Sequence, residues 1–166
     1  MDASIIVCTY NRAESLRDTL RALRAQKTAT LRDWEVIIVD NNSKDDTRKI
    51  VAEAQREWPS LRYEFEPAQG LSHARNHGIA VAHGDVLLFT DDDVLPEPDW
   101  LDATLLGLEK HQADACGGFV APSGRRLPRR GSPSGSTVFS RFAPTVTMTT
   151  RSHRQVRPLP LAQTWP

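Results

Sequence analysis

The chain has 166 residues, of which 39% are hydrophobic and 25% are charged, and its formal net charge is zero. This size and composition are typical of one soluble globular domain and leave no room for two ordinary ones. Its two cysteines, Cys8 and Cys116, exclude a disulfide framework, and no apolar run approaches the ~18 residues that a membrane span needs.

The zero net charge hides an uneven distribution along the chain. Residues 1–122 contain all 21 acids but only 13 Lys and Arg, a charge of −8, whereas residues 123–166 contain eight Arg and no acid. The second stretch is rich in Pro, Ser, Thr and Gly, and it has no helical or strand periodicity. We therefore predict a folded domain at 1–122 followed by a disordered basic tail at 123–166. Because prolines disperse its charges, we expect no nucleic-acid partner for this tail.

The strands of the predicted domain are short runs rich in Ile, Val and Leu. Runs that are apolar on both faces, typical of strands buried in a parallel sheet, occur at residues 4–8, 35–39 and 86–89. The alternating run Leu61–Phe65 predicts an edge strand, and residues 115–120 predict a last short strand.

Helical patterns lie between these runs. Leu16, Leu20 and Leu23 recur at helical spacing after Asn11, and Glu14 three residues beyond Asn11 indicates a capping box. Ser43 and Asp46 repeat that spacing before a helix predicted at 47–58, and two further helices are predicted at 72–82 and 99–111.

The alternation of strands and helices predicts an α/β fold with a mostly parallel sheet and helices on both faces. The carboxyl ends of parallel strands share one edge, where ligands bind at the point of strand-order reversal. The segments that follow the three buried strands are strongly polar: residues 9–12, 40–43 and 91–93.

Three consecutive aspartates, Asp91, Asp92 and Asp93, follow the strand at 86–89. Neighbouring carboxylates repel unless a cation neutralises them, and Mg²⁺ or Mn²⁺ accepts one or two carboxylates together with phosphate oxygens and water. In an extended segment Asp91 and Asp93 point the same way and Asp92 points oppositely, so we predict a metal site on Asp91 and Asp93. The alternative is an acidic helix N-terminus.

Asp40 ends the second strand, where its carboxylate could accept hydrogen bonds from a ribose or a base. The alternative is a turn residue within Asp-Asn-Asn-Ser. Since no Gly-rich dinucleotide or Walker sequence occurs, phosphates would be held by the metal, by Arg75 and by helix N-termini.

Four motifs now carry a resemblance to a known family. They are Cys-Thr-Tyr-Asn-Arg at 8–12, Val-Asp-Asn-Asn-Ser-Lys-Asp-Asp-Thr at 39–47, Gly-Leu-Ser-His-Ala-Arg-Asn-His-Gly at 70–78 and Phe-Thr-Asp-Asp-Asp at 89–93. In this order they resemble family 2 glycosyltransferases of the GT-A fold, and the resemblance covers residues 3–120. It implies a Rossmann-like domain that binds a nucleoside-diphosphate sugar, often a UDP-sugar.

The resemblance also implies roles for individual residues. Thr9 and Asn11 would lie along the nucleoside, Asp40 would hydrogen-bond the base, and Arg75 would approach the pyrophosphate or the base. The segment 91–93 is similar to the family's Asp-x-Asp motif, so Asp91 and Asp92 would hold the ribose while Asp93 and Asp91 would hold Mn²⁺ or Mg²⁺. Tyr10 would either stack on the base or pack against the domain.

The implied reaction is inverting transfer of the sugar to an acceptor hydroxyl, with the acceptor itself, a saccharide or a lipid-linked molecule, left unknown. In the family the base is an Asp or Glu well beyond the Asp-x-Asp motif, yet no acid follows Asp114 here. The base therefore stays unassigned, and the sequence suggests a truncated or frame-shifted reading frame. We expect a cytoplasmic protein without a transmembrane segment, at most peripheral to the inner face of the membrane.

Three alternatives remain open. One is a non-catalytic module that holds a nucleotide sugar. Another is a nucleotidylyltransferase, which needs a Gly-rich loop with a basic residue where this chain offers only Arg12. The third is a receiver domain, which needs a lone Asp and a late Lys at the crevice, and the sequence shows neither. His73 and His77 share a helix face, but without a third ligand we expect them to be solvated or to cap the helix.

Overall fold

A computed structural model describes residues 2–29 and 33–118, together with the backbone of residues 146–149. Its strands are β1 (Ala3–Thr9), β2 (Trp34–Asp40), β3 (Leu61–Phe65), β4 (Val86–Asp91), β5 (Ala115–Gly117) and β6 (Val146–Thr149). Its helices are α1 (Ala13–Arg24), α2 (Thr47–Gln55), α3 (Leu71–Val81) and α4 (Trp100–His111). None of the helices in these ranges is long and apolar enough to cross a bilayer.

The sheet has the strand order β3-β2-β1-β4-β6-β5. The strands β1 to β4 pair in parallel, and β3 lies at one edge as expected, while β6 runs antiparallel to both of its neighbours. After β3 the chain crosses back over β1 to form β4 on the other side. The order of the parallel strands therefore reverses between β1 and β4, and this is the point at which such sheets bind ligands.

Apolar side chains cover both faces of the sheet, which is why the central strands are apolar throughout. On one face Ile5 and Val7 belong to a buried cluster with side chains of α1, α2 and α4. On the other face Ile6 and Val39 pack with α3. The helix α3 approaches the sheet closely at Gly78, where an added Cβ would lie 2.5 Å from Cγ2 of Ile6. The predicted mostly parallel α/β fold with helices on both faces is thus confirmed.

The strand β6 departs from the sequence analysis, which predicted no strand after residue 122. Val146–Thr149 pairs between β4 and β5, with Thr149 opposite Val86 and Met148 opposite Ala115. Four residues suffice to form a strand between β4 and β5 because both of these strands supply backbone partners. The predicted boundary near residue 122, the end of the predicted strand at 119–120 and the other residues of the predicted tail lie outside the described residues.

The helix caps also differ from the predicted capping boxes. Neither α1 nor α2 has a side-chain cap on its N-cap residue. Instead Asp45, in the loop before α2, accepts the backbone N–H groups of Ala13 at 2.9 Å and Thr47 at 3.1 Å. One carboxylate therefore serves the first turns of two helices, which local spacing in the sequence could not indicate.

Candidate functional site

Polar strand ends gather at the carboxyl edge of the sheet, as the sequence analysis predicted. Thr9 of β1 lies opposite Asp40 of β2, and Cys8 of β1 lies opposite Asp91 of β4. Asp40 and Asp91 therefore lie on the same edge, on either side of the central strand. The segments after these strands are the ones that carry the candidate site residues.

A cleft of about 280 Å³ opens at this edge, between the end of β1 and the start of α3. Tyr10 and Leu71 are 46% and 50% exposed at the cleft, so each presents an apolar surface to an incoming ligand. The residues that line the cleft are Cys8, Thr9, Tyr10, Asn41, Gln69, Gly70, Leu71 and Ala74. Its size suits a small ligand or part of a larger one.

The floor of the cleft is held in place by Asn41, which the sequence analysis did not single out. Its side-chain amide donates to the carbonyl oxygens of Glu66 at 3.2 Å and Ala68 at 2.7 Å, and its Oδ1 accepts the N–H of Gly70 at 2.8 Å. This side chain thereby fixes the loop that leads into α3. The motif Asp-Asn-Asn-Ser indicated a turn, but nothing local indicated a partner 25 to 29 residues away.

The helix α3 starts at the cleft without a side-chain cap. Its N-cap residue, Gly70, has a φ of +139°, a backbone conformation that a residue with a Cβ rarely adopts. The N–H of Gly70 is bonded to Asn41, and the N–H groups of His73 and Ala74 are bonded to the carbonyl oxygen of Gly70 at 3.0 and 3.2 Å. The start of the helix nevertheless carries the partial positive charge of the helix dipole. This end of α3 is therefore suited to an anion such as a phosphate.

Asp40 is buried, and both of its carboxylate oxygens have partners within the chain. Oδ1 accepts the N–H of Ser43 at 2.8 Å, and Oδ2 accepts the hydroxyl of Tyr63 at 2.8 Å. Burial and the bond to Asp40 raise the pKa of Tyr63, so the tyrosine remains a hydrogen-bond donor. The turn-residue interpretation of Asp40 is thus realised, although a carboxylate oxygen has a second lone pair that a ligand could use.

The three aspartates do not form the extended segment that the sequence analysis assumed. The strand β4 ends at Asp91, and residues 92 and 93 form a turn in which the N–H of Val94 approaches the carbonyl oxygen of Asp91 at 3.4 Å. The predicted alternation of side-chain directions therefore does not apply. The turn separates the surroundings of the three carboxylates, with Asp92 buried and Asp91 and Asp93 exposed.

Asp92 is held inside the protein by β1 and α1. Its Oδ2 accepts the hydroxyl of Thr9 at 2.7 Å, and its carbonyl oxygen accepts the hydroxyl of Thr19 at 3.0 Å. Burial raises the pKa of Asp92, while the Thr9 hydrogen bond and the positive charge of Arg12 oppose that rise. Thr9 lines the cleft, and its hydroxyl donates a hydrogen bond to Asp92.

Arg12 supplies the cation nearest to the aspartate turn. Its Nη1 lies 2.7 Å from Oδ2 of Asp93 and 3.5 Å from Oδ1 of Asp92. The repulsion that the sequence analysis expected among these carboxylates is thus relieved in part by the chain's own guanidinium. Because the partners are 80 and 81 residues apart, the sequence carried no signal for this pairing.

Asp91 and Arg75 both lie close enough to Cys8 to perturb its thiol. Burial raises the pKa of Cys8 to about 12, with Arg75 opposing the rise and Asp91 adding to it. The thiol is therefore protonated at neutral pH. Among the described residues no side chain donates a hydrogen bond to the carboxylate of Asp91, which leaves it exposed at the end of β4.

Asn11 and His77 have partners that the sequence analysis did not anticipate. Oδ1 of Asn11 accepts the N–H of Lys44 at 2.7 Å, which ties the turn after β1 to the turn after β2. His77 is neither simply solvated nor a helix cap, since its Nδ1 lies 3.1 Å from Oε2 of Glu66 and its Nε2 lies 3.6 Å from Oε2 of Glu64.

The exposed Asp91 and Asp93 carry carboxylate oxygens of the kind that a hard divalent cation prefers, and Asp93 pairs with Arg12 at 2.7 Å. Within the described ranges no three acidic, histidine or cysteine side chains cluster as a metal site. A cation at the aspartate turn would therefore complete its shell with water and ligand oxygens. Mg²⁺ commonly takes this arrangement with one or two carboxylates and a substrate phosphate.

Comparison with known proteins gives consistent likenesses. The family model for Glycosyl transferase family 2 matches residues 4–157. The chain is 34% identical over 131 residues to Glycosyltransferase AglE of Haloferax volcanii, a match that covers 76% of this chain and 43% of AglE.

Two solved structures extend these likenesses to the fold. S. aureus TarS 1-349 in complex with UDP-GlcNAc is similar with a TM-score of 0.64 and 27% identity, covering 78% of this chain and 37% of that chain. The mannosyltransferase PcManGT from Pyrobaculum calidifontis, in complex with GDP-Man and Mn²⁺, is similar with a TM-score of 0.66 and 29% identity, covering 74% and 36%. The expected GT-A fold is thereby confirmed, and the chain spans less than half the length of each of these three proteins.

Proposed function

The chain belongs to glycosyl transferase family 2, and we propose that it binds the nucleoside-diphosphate part of a sugar donor in the cleft at the end of β1. The observation that carries the proposal is the uncapped N-terminus of α3 in a cleft beside the exposed Asp91. Such a site offers the positive end of a helix dipole to one side of a diphosphate and carboxylates for a metal on the other side.

The donor is proposed to be a UDP-sugar, and the related complexes support a nucleotide sugar of this kind. TarS was crystallised with UDP-GlcNAc and PcManGT with GDP-Man. Tyr10, which is 46% exposed at the cleft, offers a ring on which a base could stack. Thr9, Asn11 and Asp40 would shape the nucleoside end, with Asp40 accepting a hydrogen bond from the base through a remaining lone pair.

The phosphates of the donor are proposed to lie at the other side of the cleft. Arg75 is proposed to pair with the diphosphate, since a guanidinium binds phosphate oxygens through two parallel hydrogen bonds. Asp91 and Asp92 would position the ribose, and Asp93 with Asp91 would hold Mn²⁺ or Mg²⁺. The bound metal would stabilise negative charge on the departing diphosphate. The reaction proposed for the family site is inverting transfer of the sugar to an acceptor hydroxyl, with no base assigned among these residues.

Calorimetry with UDP and with GDP tests the proposal. We expect binding in the presence of Mn²⁺ that weakens at least about tenfold in EDTA, because losing one metal–phosphate contact corresponds to ~1.4 kcal/mol or more. The change Asp91→Asn should have a similar effect. The matched control is Asp18→Asn, which removes an exposed carboxylate on α1 that pairs with Arg21 at 2.7 Å, and it should bind as the unchanged chain does.

One further arm of the calorimetry, a titration with UMP, tests the contribution of the second phosphate. UMP should bind much more weakly than UDP, since it lacks the second phosphate that the metal would bridge. Affinity for UDP that is the same in EDTA, or the same after Asp91→Asn, would refute the metal assignment. No binding of either diphosphate under any condition would refute the donor site itself.

A further inference from the structure

Arg12 contacts two of the three aspartates, but in unequal ways. Its Nη1 lies 2.7 Å from Asp93, and both side chains are more than half exposed, at 54% and 53%. The contact with Asp92 is longer, at 3.5 Å, and that carboxylate is buried and already bonded to Thr9. Asp92 therefore has a second and shorter contact, with Thr9, whereas the short ion pair of Asp93 is with Arg12.

The backbone around Arg12 is held by hydrogen bonds, while its side chain is more than half exposed. The carbonyl oxygen of Arg12 accepts the N–H of Leu16 at 3.0 Å, and the next residue, Ala13, donates to Asp45. Its guanidinium, by contrast, makes an exposed ion pair, a type of contact that contributes little to stability and exchanges readily with other partners. The side chain starts two residues beyond Tyr10, which lines the cleft.

We propose that Arg12 is a built-in counter-ion that competes with the divalent cation for Asp93 and transfers to the diphosphate when the nucleotide binds. This inference rests on the proposed function, since it takes the cleft as a nucleoside-diphosphate site. The metal and the guanidinium repel each other at Asp93, so the metal binds weakly while Arg12 stays there. A diphosphate offers Arg12 a bidentate partner of higher charge and frees Asp93 for the metal.

The consequence is a coupling between metal and nucleotide that the chain itself creates. Each ligand should raise the affinity of the other by the same factor, because coupling of binding is reciprocal. Removing the guanidinium should strengthen metal binding in the absence of nucleotide. A purely structural role for Arg12 predicts the opposite sign, since a disturbed aspartate turn would bind metal less tightly.

The test is a titration of the full 166-residue chain with Mn²⁺, with and without UDP or GDP. Electron paramagnetic resonance measures the concentration of the free ion at each step. Arg12→Gln should bind Mn²⁺ about three- to tenfold more tightly than the unchanged chain when nucleotide is absent. This factor corresponds to removing one unit charge about 5–6 Å from a divalent ion at an exposed site. The increase in Mn²⁺ affinity that the nucleotide causes should shrink by a similar factor.

Two further variants serve as controls. Arg21→Gln removes an arginine on α1 that forms an ion pair of the same length, 2.7 Å, with Asp18. Because this pair lies away from the aspartate turn, Arg21→Gln should leave the Mn²⁺ affinity unchanged. Arg12→Lys keeps the charge and should stay close to the unchanged chain. The role of Arg12 is overturned if Arg12→Gln leaves the Mn²⁺ affinity unchanged or weaker while nucleotide still strengthens Mn²⁺ binding to the unchanged chain. That outcome leaves the proposed function standing. Absence of nucleotide binding with Mn²⁺ present overturns both.

Discussion

At the scale of single residues, the polar side chains at the sheet edge divide into anchors and exposed groups. Asp40 and Asp92 are buried and bonded to Tyr63 and Thr9. Asp91 and Asp93 remain exposed. The sequence could predict that these acids follow the strands, because strand ends are readable from apolar runs. It could not predict which of them are anchors, since their partners lie 23 and 83 residues away.

Thr9→Val tests the anchoring of Asp92. Removing the hydroxyl leaves a buried carboxylate without its best donor, so we expect a loss of about 1–3 kcal/mol in the free energy of unfolding at pH 7. Because burial already raises the pKa of Asp92, the loss should shrink as the pH falls and the carboxyl becomes protonated. Urea denaturation at pH 7 and pH 5 measures both effects.

The control for this change is Thr104→Val on α4. Its hydroxyl bonds only to the carbonyl oxygen of Trp100 in the same helix, at 2.8 Å, so its replacement leaves no charge unpaired. We expect a smaller loss for Thr104→Val, with no dependence on pH. Equal losses for the two variants at pH 7 would contradict the anchoring role of Thr9.

At the scale of elements, the strands and helices were the most predictable part of the molecule. Buried parallel strands need apolar residues on both faces, and this requirement makes β1, β2 and β4 visible in the sequence. The turn after Asp91 was not visible in the sequence, because three consecutive aspartates carry no periodicity that distinguishes an extended segment from a turn. The strand β6 was missed for a related reason: four residues are too few for a periodic signal.

Glu35 is a second example of a residue whose environment the sequence pattern could not indicate. It lies inside the apolar run of β2, yet it is buried, and its carboxylate accepts hydrogen bonds from Ser4 at 2.7 Å, Arg62 at 2.9 Å and the N–H of His83 at 2.8 Å. Burial opposes ionisation, but these bonds more than offset it, so the pKa of Glu35 lies below its usual value. The cluster joins β1, β2, β3 and the turn before β4.

Glu35→Gln should therefore lower stability in a pH-dependent way. At pH 7 we expect a loss of about 1–3 kcal/mol, because hydrogen bonds to a charged group are replaced by weaker ones. A lowered pKa stabilises the folded state above the unfolded value of about 4.3, and this stabilisation is lost as the pH falls through the folded value. The difference between the variant and the unchanged chain should accordingly narrow below about pH 4.

Urea denaturation at pH 7 and pH 3.5 measures this difference. The control is Glu57→Gln, which breaks an exposed pair with Arg24 at 2.7 Å and should cost less than about 1 kcal/mol. A loss for Glu35→Gln that is constant across this range would show that the charge of Glu35 does not contribute to stability.

At the scale of the whole molecule, an acidic chain segment is proposed to bind an acidic ligand. Residues 1–122 carry a formal charge of −8, so a diphosphate would be repelled unless positive charge were concentrated at the cleft. Among the described residues, the start of α3, Arg75 and Arg12 are proposed to supply such charge. The divalent cation is the fourth source, and it explains why we expect binding to depend on metal.

Transfer of the sugar is expected to lag behind binding. No acid follows Asp114, and a positioned base contributes about 10²–10⁴-fold to the rate of such reactions. We therefore expect the 166-residue chain to bind a UDP-sugar, to hydrolyse it slowly, and to transfer its sugar poorly. An assay of UDP release with radiolabelled donor, with and without saccharide acceptors, measures this. Multiple-turnover transfer would mean that an acid within residues 1–114 serves as the base.

The most direct test of the central claim is the position of the metal and the nucleotide in crystals grown with UDP and Mn²⁺. Diffraction data at the manganese absorption edge give an anomalous difference map that locates the ion. We expect the peak within coordination distance of a carboxylate oxygen of Asp91 or Asp93, with the diphosphate between the ion and the first turn of α3. A nucleotide bound away from this cleft, or an ion bound without contact to these aspartates, would contradict the account.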